Sequence, residues 1–358
     1  MSKLLEFARS PVAYVARRWT PSQRTVERAT LTALVMSVVI VVTGGVVRLT
    51  GSGLGCETWP KCSGDSLIAT PEMGLHGAIE FGNRLLTYVL SAAVGWAILA
   101  VRSAEPRRRD LSRLAWAQFW LVVANALMGG ATVLMELNPY TVAAHFLLAT
   151  ALLTVAALTW LRAREGDEEP RPLAGARLRR LAWALVALCA ALIVAGTVVT
   201  GTGPHAGDSS DVPRMQLMGW EAAARTHALL AWAVVGATVL LWLALRAVDA
   251  PRGPLARTRE LFLVLMAQGV IGYVQYLTEL PEVLVALHLF GSCLVWIAVL
   301  RVPLSLRERG LPPAAAGGAG AAPVPAASPL PAAPAGAAGG RWRPRERRRA
   351  GGGSPAAG

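Results

Sequence analysis

Apolar residues along this chain come in blocks separated by short polar or Gly/Pro-containing stretches. Eight blocks stand out, at 29–48, 76–101, 111–135, 141–161, 178–200, 222–245, 260–277 and 283–302. Each comes near the ~20 residues that carry a helix across the hydrocarbon of a bilayer. The pattern predicts an all-α polytopic membrane protein with eight transmembrane helices. The seventh block is the shortest. Residues 310–340 are almost only Ala, Gly and Pro, and they end in the basic run "RWRPRERRRAGGG". Such a segment cannot bury a core, so 303–358 is expected to be a disordered tail.

Composition agrees, with 54% hydrophobic residues and a mean hydropathy of +0.45. Both are too high for an ordinary soluble chain of 358 residues. Residues 1–28 are basic and mixed, with Pro11 and Pro21, and do not read as a cleavable signal peptide. If this end is inside, 30 of the 35 Lys and Arg lie on inner segments. The exceptions are Arg48, Lys61, Arg84, Arg214 and Arg225. The bias predicts a plasma-membrane protein with both termini cytoplasmic. It also accounts for the net charge of +13 through contact with anionic lipid, with no nucleic acid required.

The chain reads as a duplication. "ALMGGATVLMELNPYTVAAHF" (126–146) resembles "GVIGYVQYLTELPEVLVALHL" (269–289). Gly129 precedes His145 by 16 residues, as Gly272 precedes His288. Glu136 and Glu279 each stand nine residues before those histidines. "NRLLTYVLSAAVGWAILA" lies over "HALLAWAVVGATVLLWLA", which sets Asn83 on His227. Four spans per repeat is an even number, so the repeats share one orientation. The expected architecture is two pseudo-symmetric four-helix bundles, 29–161 and 178–302, joined by a cytoplasmic linker at 162–177.

Of five histidines, His205 falls in an outer loop. His76, His145, His227 and His288 sit near the outer ends of spans 2, 4, 6 and 8. A lone histidine at a helix end is ordinarily a hydrogen-bonded or solvated residue. Four at one depth in a duplicated frame point to a site. Neutral imidazoles on facing helices suit axial ligation of a haem iron. Zinc fits less well, because the four split into pairs and no Cys or acidic ligand stands at a good spacing. His227 and His288 are therefore read as a bis-histidine haem site in the second half, with His145 at the corresponding place in the first.

The halves are not equivalent. Where the second carries His227, the first carries Asn83, with Glu80 three residues earlier. At about 100° per residue, His76, Glu80, Asn83 and Thr87 share one helical stripe, with Arg84 at its edge. This half is read as a substrate site, with Glu80 as general acid/base or stabiliser of developing positive charge. The competing reading is a plain i, i+4 ion pair with Arg84. Arg48, Arg84, Arg214 and Arg225 are candidates for haem propionates, because guanidinium binds carboxylate bidentately. Cys56 and Cys62 bracket "ETWPK" on the oxidising side, where a disulfide or two free thiols can stand. Cys189 and Cys293 lie in apolar spans as small fillers.

Taken together, "RLTGSGLGCETWPKC", "IEFGNRLL", "ALMGGATVLMELNPYTVAAHF", "RTHALL" and "VALHLFGSCLVW" resemble the heme A synthase family over roughly residues 29–302. The resemblance implies a membrane oxidoreductase that turns a ring methyl of haem O into the formyl of haem A for cytochrome oxidase. It implies haem b as cofactor, held by His227 and His288, a first-loop disulfide between Cys56 and Cys62, an essential Glu80, and His145 at the substrate haem. Heme O synthase and an electron donor are the implied partners, and a homo-oligomer is compatible with the family.

The chain departs from the family twice. Many members carry histidine where Asn83 stands, so the substrate-side ligand is either His76 or His145 alone. The second outer loop, "GTGPHAGDSSDVPRM", lacks the Cys pair that some members have. Two rival functions are a di-haem electron carrier, which needs two symmetrical bis-histidine sites, and a haem-handling transporter that leaves haem unaltered.

Overall fold

The computed structural model describes residues 11–205, 207 and 212–311. The disorder expected for 312–358 lies outside the described residues. Among the described residues, eight helices are long and apolar enough to span a bilayer. They are α1 (Gln23–Leu49), α2 (Gly74–Ser103), α3 (Arg109–Leu134), α4 (Pro139–Ala163), α5 (Ala176–Thr202), α6 (Trp220–Ala247), α7 (Arg252–Leu277) and α8 (Glu282–Ser305). All eight apolar blocks are helices. The largest boundary difference is at α7, which begins eight residues before the block at 260. Its first turns carry Arg252, Arg257 and Arg259, which interrupt the hydrophobic run without breaking the helix.

Local chemistry sets the helix ends. The Ser22 hydroxyl accepts the Thr25 N–H at the start of α1, and Asn138 accepts the Tyr140 N–H at the start of α4, ahead of Pro139. Inside the spans, the hydroxyls of Thr30, Ser37, Thr132 and Thr238 donate to carbonyls four residues back. That satisfies them where no water is at hand. The α3–α4 and α7–α8 hairpins close with the same turn. Glu136 and Leu137, and likewise Glu279 and Leu280, take left-handed backbone angles. Leu137 N–H donates to Thr132 O at 3.0 Å and Leu280 N–H to Gln275 O at 2.7 Å. Left-handed non-glycine residues each cost of order 1 kcal/mol. The spacing of Glu136 and Glu279 from their histidines is thus a repeated turn.

In the first half, α1 packs on α2 and α4, and α3 packs on α2 and α4. In the second half α5 packs on α6 and α8, and α7 on α6 and α8. The halves meet through α1 and α4 against α8, and α4 against α5. One buried cluster crosses that joint, setting Leu34, Val41 and Leu153 against Leu241, Leu261 and Val299, with the buried thiols Cys189 and Cys293 as fillers. Alanines at 29, 33, 97, 100 and 115 line the core of the first half, where small residues let helices approach. Trp296 Nε1 donates to Thr154 Oγ1 across the joint at 2.8 Å.

At the far end from the histidines, the boundary expected at 303 moves. The helix continues to Ser305, and Arg307–Glu308 pair antiparallel with Arg171–Pro172 of the linker. Leu173 N–H donates to Leu306 O and Gly166 N–H to Gly310 O. Arg162 is buried and meets Asp110 at 2.5 Å and Glu165 at 2.6 Å. Residues 303–311 are therefore ordered. Backbone pairing and the Arg307–Glu165 ion pair give that short segment partners which apolar periodicity does not register.

Candidate functional site

The structure brings His227 and His288 together. Their ring centroids are 6.4 Å apart, with planes at 66°. Two imidazoles that bind one metal from opposite sides, at about 2 Å per nitrogen, place their ring centres roughly 6 Å apart. The spacing therefore suits a single ion between them. Both Nδ1 atoms are buried with no partner of hydrogen-bond geometry, and the Leu192 carbonyl lies close to His227. The buried Gln268 donates from Nε2 to the His288 carbonyl at 2.5 Å, which braces the helix turn that carries the imidazole.

Each of these rings stands where the facing helix has no side chain. A Cβ on Gly196 would lie 3.2 Å from His227 Cε1, and one on Gly272 3.3 Å from His288 Cε1. In the first half a Cβ on Gly129 would lie 3.2 Å from His145 Cε1, and one on Gly44 4.0 Å from Asn83 Nδ2. Every even-numbered helix thus sets one polar group on a glycine of the odd-numbered helix before it. The pairing of glycines 129 and 272 with histidines 145 and 288 was visible as spacing. Gly44 and Gly196 were missed, because their partners lie 39 and 31 residues away across outer loops of different length.

The first half is built differently. His145 has a buried, unpartnered Nδ1 like its counterparts, yet among the described residues it makes no ring contact with another histidine. The stripe on α2 turns toward α1 and the loop that follows it. His76 is exposed, and its Nδ1 lies 2.9 Å from Ser52 Oγ. Asn83 Oδ1 accepts from Thr43 Oγ1 at 2.8 Å. Glu80 is buried; its Oε2 accepts the Cys56 N–H at 2.7 Å and its Oε1 pairs with Arg84 at 2.5 Å. Arg84 also donates to the carbonyls of Thr58 and Lys61. Cys56 and Cys62 form a disulfide and are fully buried. Glu80 and Arg84 therefore form the i, i+4 ion pair, and the pair is tied into the disulfide loop.

The other outer-side groups mostly join the loops. Arg48 donates from Nε to His205 O and from Nη2 to Thr200 O, which links the end of α1 to the second outer loop. His205 Nε2 lies 3.0 Å from Leu280 O. Arg214 donates to Pro204 O. Arg225 pairs with Glu221 at 3.2 Å with both side chains exposed, an arrangement worth little in energy. Of the four arginines proposed for propionates, Arg48, Arg84 and Arg214 thus already hold backbone carbonyls. Among the described residues no cluster of three or more His, Cys, Asp or Glu is placed to hold a metal ion.

Comparison with known proteins adds an independent line. Residues 27–300 match the family COX15-CtaA, described as cytochrome oxidase assembly protein. The chain is 27% identical over 166 residues to a protein named heme A synthase from Alkalihalophilus pseudofirmus, covering 45% of this chain and 54% of that one. It is 30% identical over 263 residues to the one from Symbiobacterium thermophilum, covering 66% and 83%. It is 34% identical over 117 residues to the one from Listeria welshimeri, covering 32% and 38%. The match spans about half the length of the first of these relatives. With eight spanning helices, a duplicated frame of histidines set on glycines, and a family match over most of its length, this chain belongs to the COX15-CtaA family of cytochrome oxidase assembly proteins.

Proposed function

We propose that this protein is a heme A synthase, which oxidises a methyl group of haem O to the formyl group of haem A for cytochrome oxidase, and that it uses haem b to do so. One observation carries the reading: the two halves share one backbone plan but differ in chemistry. In the second half the rings of His227 and His288 stand at a spacing that would suit one iron held between them. In the first, the place of His227 is taken by Asn83, which is bonded to Thr43, beside the buried Glu80. One half holds a permanent ligand pair and the other leaves a coordination place for a molecule that comes and goes.

In this reading His227 and His288 would hold haem b, and Gly196 and Gly272 give their rings room. Bound there, haem b supplies a reversible one-electron store. His145 takes the iron of haem O, with His76 as the second candidate ligand. Two successive oxygenations, each consuming one dioxygen with two electrons and two protons from the donor and releasing one water, would take the methyl group to an alcohol and then to a hydrated aldehyde, which loses water. Glu80, ionised beside Arg84, holds negative charge near the carbon where positive charge develops. Arg214 and Arg225 are the propionate candidates with the most exposed positions. In this reading these sites lie near the outer surface and both termini in the cytoplasm, which the charge bias along the chain supports. Heme O synthase is the implied supplier of substrate, and an electron donor is required.

The test is to extract haems from cells that make haem O, with and without this protein. Haem A should accumulate only when it is present. The Glu80→Gln variant should keep its haem b and lose formyl product by about 10²- to 10⁴-fold. Normal haem A in that variant would remove Glu80 from the reaction, and haem O left unchanged by the intact protein would overturn the reading as a whole.

A further inference from the structure

The first outer loop does more than cover the bundle. Its Trp59 indole lies against α3 where Gly130 has no side chain, so that a Cβ there would come within 2.8 Å of three ring atoms. The preceding residue, Gly129, receives the His145 imidazole. Two consecutive bare positions on one helix thus host the two ring systems, one from α4 and one from the loop. The second half keeps only the first of them. Gly272 receives His288, but the next residue is Tyr273, whose hydroxyl accepts from Trp232 Nε1 at 3.0 Å. The indoles that meet α7 there come from α6 and not from a disulfide loop: Trp232 bonds to Tyr273, and Trp220 stacks on Tyr276.

The loop is held firmly for a segment of its length. The Cys56–Cys62 disulfide closes it around Trp59. Glu80 accepts the Cys56 N–H, and Arg84 holds the carbonyls of Thr58 and Lys61 on either side of the indole. Gly53 N–H donates to Gly207 O, and a Cβ on Gly55 would run into the His76 carbonyl at the start of α2. So many restraints around one aromatic residue exceed what is needed to fill a groove above a glycine. A flat aromatic seated one residue along α3 from the glycine that receives His145 is a fitting wall for a planar macrocycle.

We infer that Trp59 is a porphyrin-contacting residue of the first half, set in place by the disulfide together with the Glu80–Arg84 pair. The inference rests on the proposed function, in which this half admits the haem substrate. It gives Glu80 and Arg84 a positioning role alongside any part in the chemistry. It also makes binding at this half depend on the oxidation state of Cys56 and Cys62, while the His227–His288 site is indifferent to it.

The purified full-length protein, with its haem b in place, can be titrated with iron(III) protoporphyrin IX and separately with metal-free protoporphyrin IX. The Soret band and the porphyrin fluorescence report binding. Trp59→Ala should weaken both by about tenfold, and Trp59→Phe should recover most of the loss. His145→Ala should weaken only the iron porphyrin, because the metal-free ring has nothing to ligate. Gly130→Ala, whose new methyl displaces the indole, and reduction of the disulfide should each reproduce Trp59→Ala and add little to it. The haem b spectrum should stay unchanged throughout. Unaltered binding of both porphyrins by Trp59→Ala overturns the inference. Loss of haem b in that variant also overturns it, since Trp59 would then support the fold and not the ligand. If the intact protein binds no porphyrin beyond haem b, the substrate-site reading of the first half fails, and the inference with it.

Discussion

The two halves of this protein have the same helix order, the same left-handed turn before the fourth helix, and the same habit of seating a polar group on a glycine. They differ in what that group is and in what stands above it. The second half offers His227 and His288 to each other, braced by Gln268. At the position equivalent to Gln268, the first half has Asn125, whose amide turns back to Leu121 O on its own helix. There His145 has no imidazole partner among the described residues, Asn83 bonds to Thr43, and a disulfide loop lays Trp59 on Gly130, next in the chain to the glycine that receives His145. The two halves share one frame, and a few polar exchanges set them apart.

The strongest way to break the comparison is His227→Ala. If the second half is the permanent site, low-spin haem b absorption should vanish, whereas His145→Ala should leave it intact. An unchanged spectrum in the first variant, or loss in the second, reverses the assignment. Asn83→His sharpens it further. Gly44 leaves room for the larger ring, so the variant should gain a second bis-histidine haem, doubling the low-spin haem per protein while formyl production falls.

Gly272→Val should crowd His288 by about 1–3 kcal/mol, the usual cost of overpacking, and weaken haem b by ten- to a hundredfold. Gly129→Val should spare haem b, and equal losses in the two would mean that the glycines serve general packing alone. The smallest effect is expected at the joint. Thr154→Val removes the acceptor of Trp296 Nε1 and should lower thermal stability by about 1 kcal/mol, with no change in either haem spectrum.

Much of this was legible in the chain. The hydrophobic blocks located all eight helices, because a bilayer demands long apolar segments that satisfy their own backbone groups. The spacing of Gly129 and Gly272 to their histidines marked the repeat, and the exchange of His227 for Asn83 marked its asymmetry. Helical periodicity sets the polar groups of α2 on one stripe, but it does not name their neighbours, and His76 on that stripe is exposed. Its groups meet Ser52, Cys56 and Thr43, contacts that depend on how α1 and its loop return over α2. The order of residues 303–311 escaped notice for a similar reason, since it comes from pairing with a strand about 136 residues away.

By itself the sequence determined where the chain crosses the membrane, that it does so in two related sets of four, and which residues are too polar to face lipid without cause. Those properties follow from local hydrophobicity and repetition, which any stretch of chain carries within itself. Only the tertiary structure decided which polar groups meet. It set His227 against His288, tied Glu80 to the disulfide loop, and placed Trp59 on Gly130. Such meetings turn on helix rotation and on loop paths between segments far apart in sequence, and distances of a few ångströms across those paths are not written in any one segment.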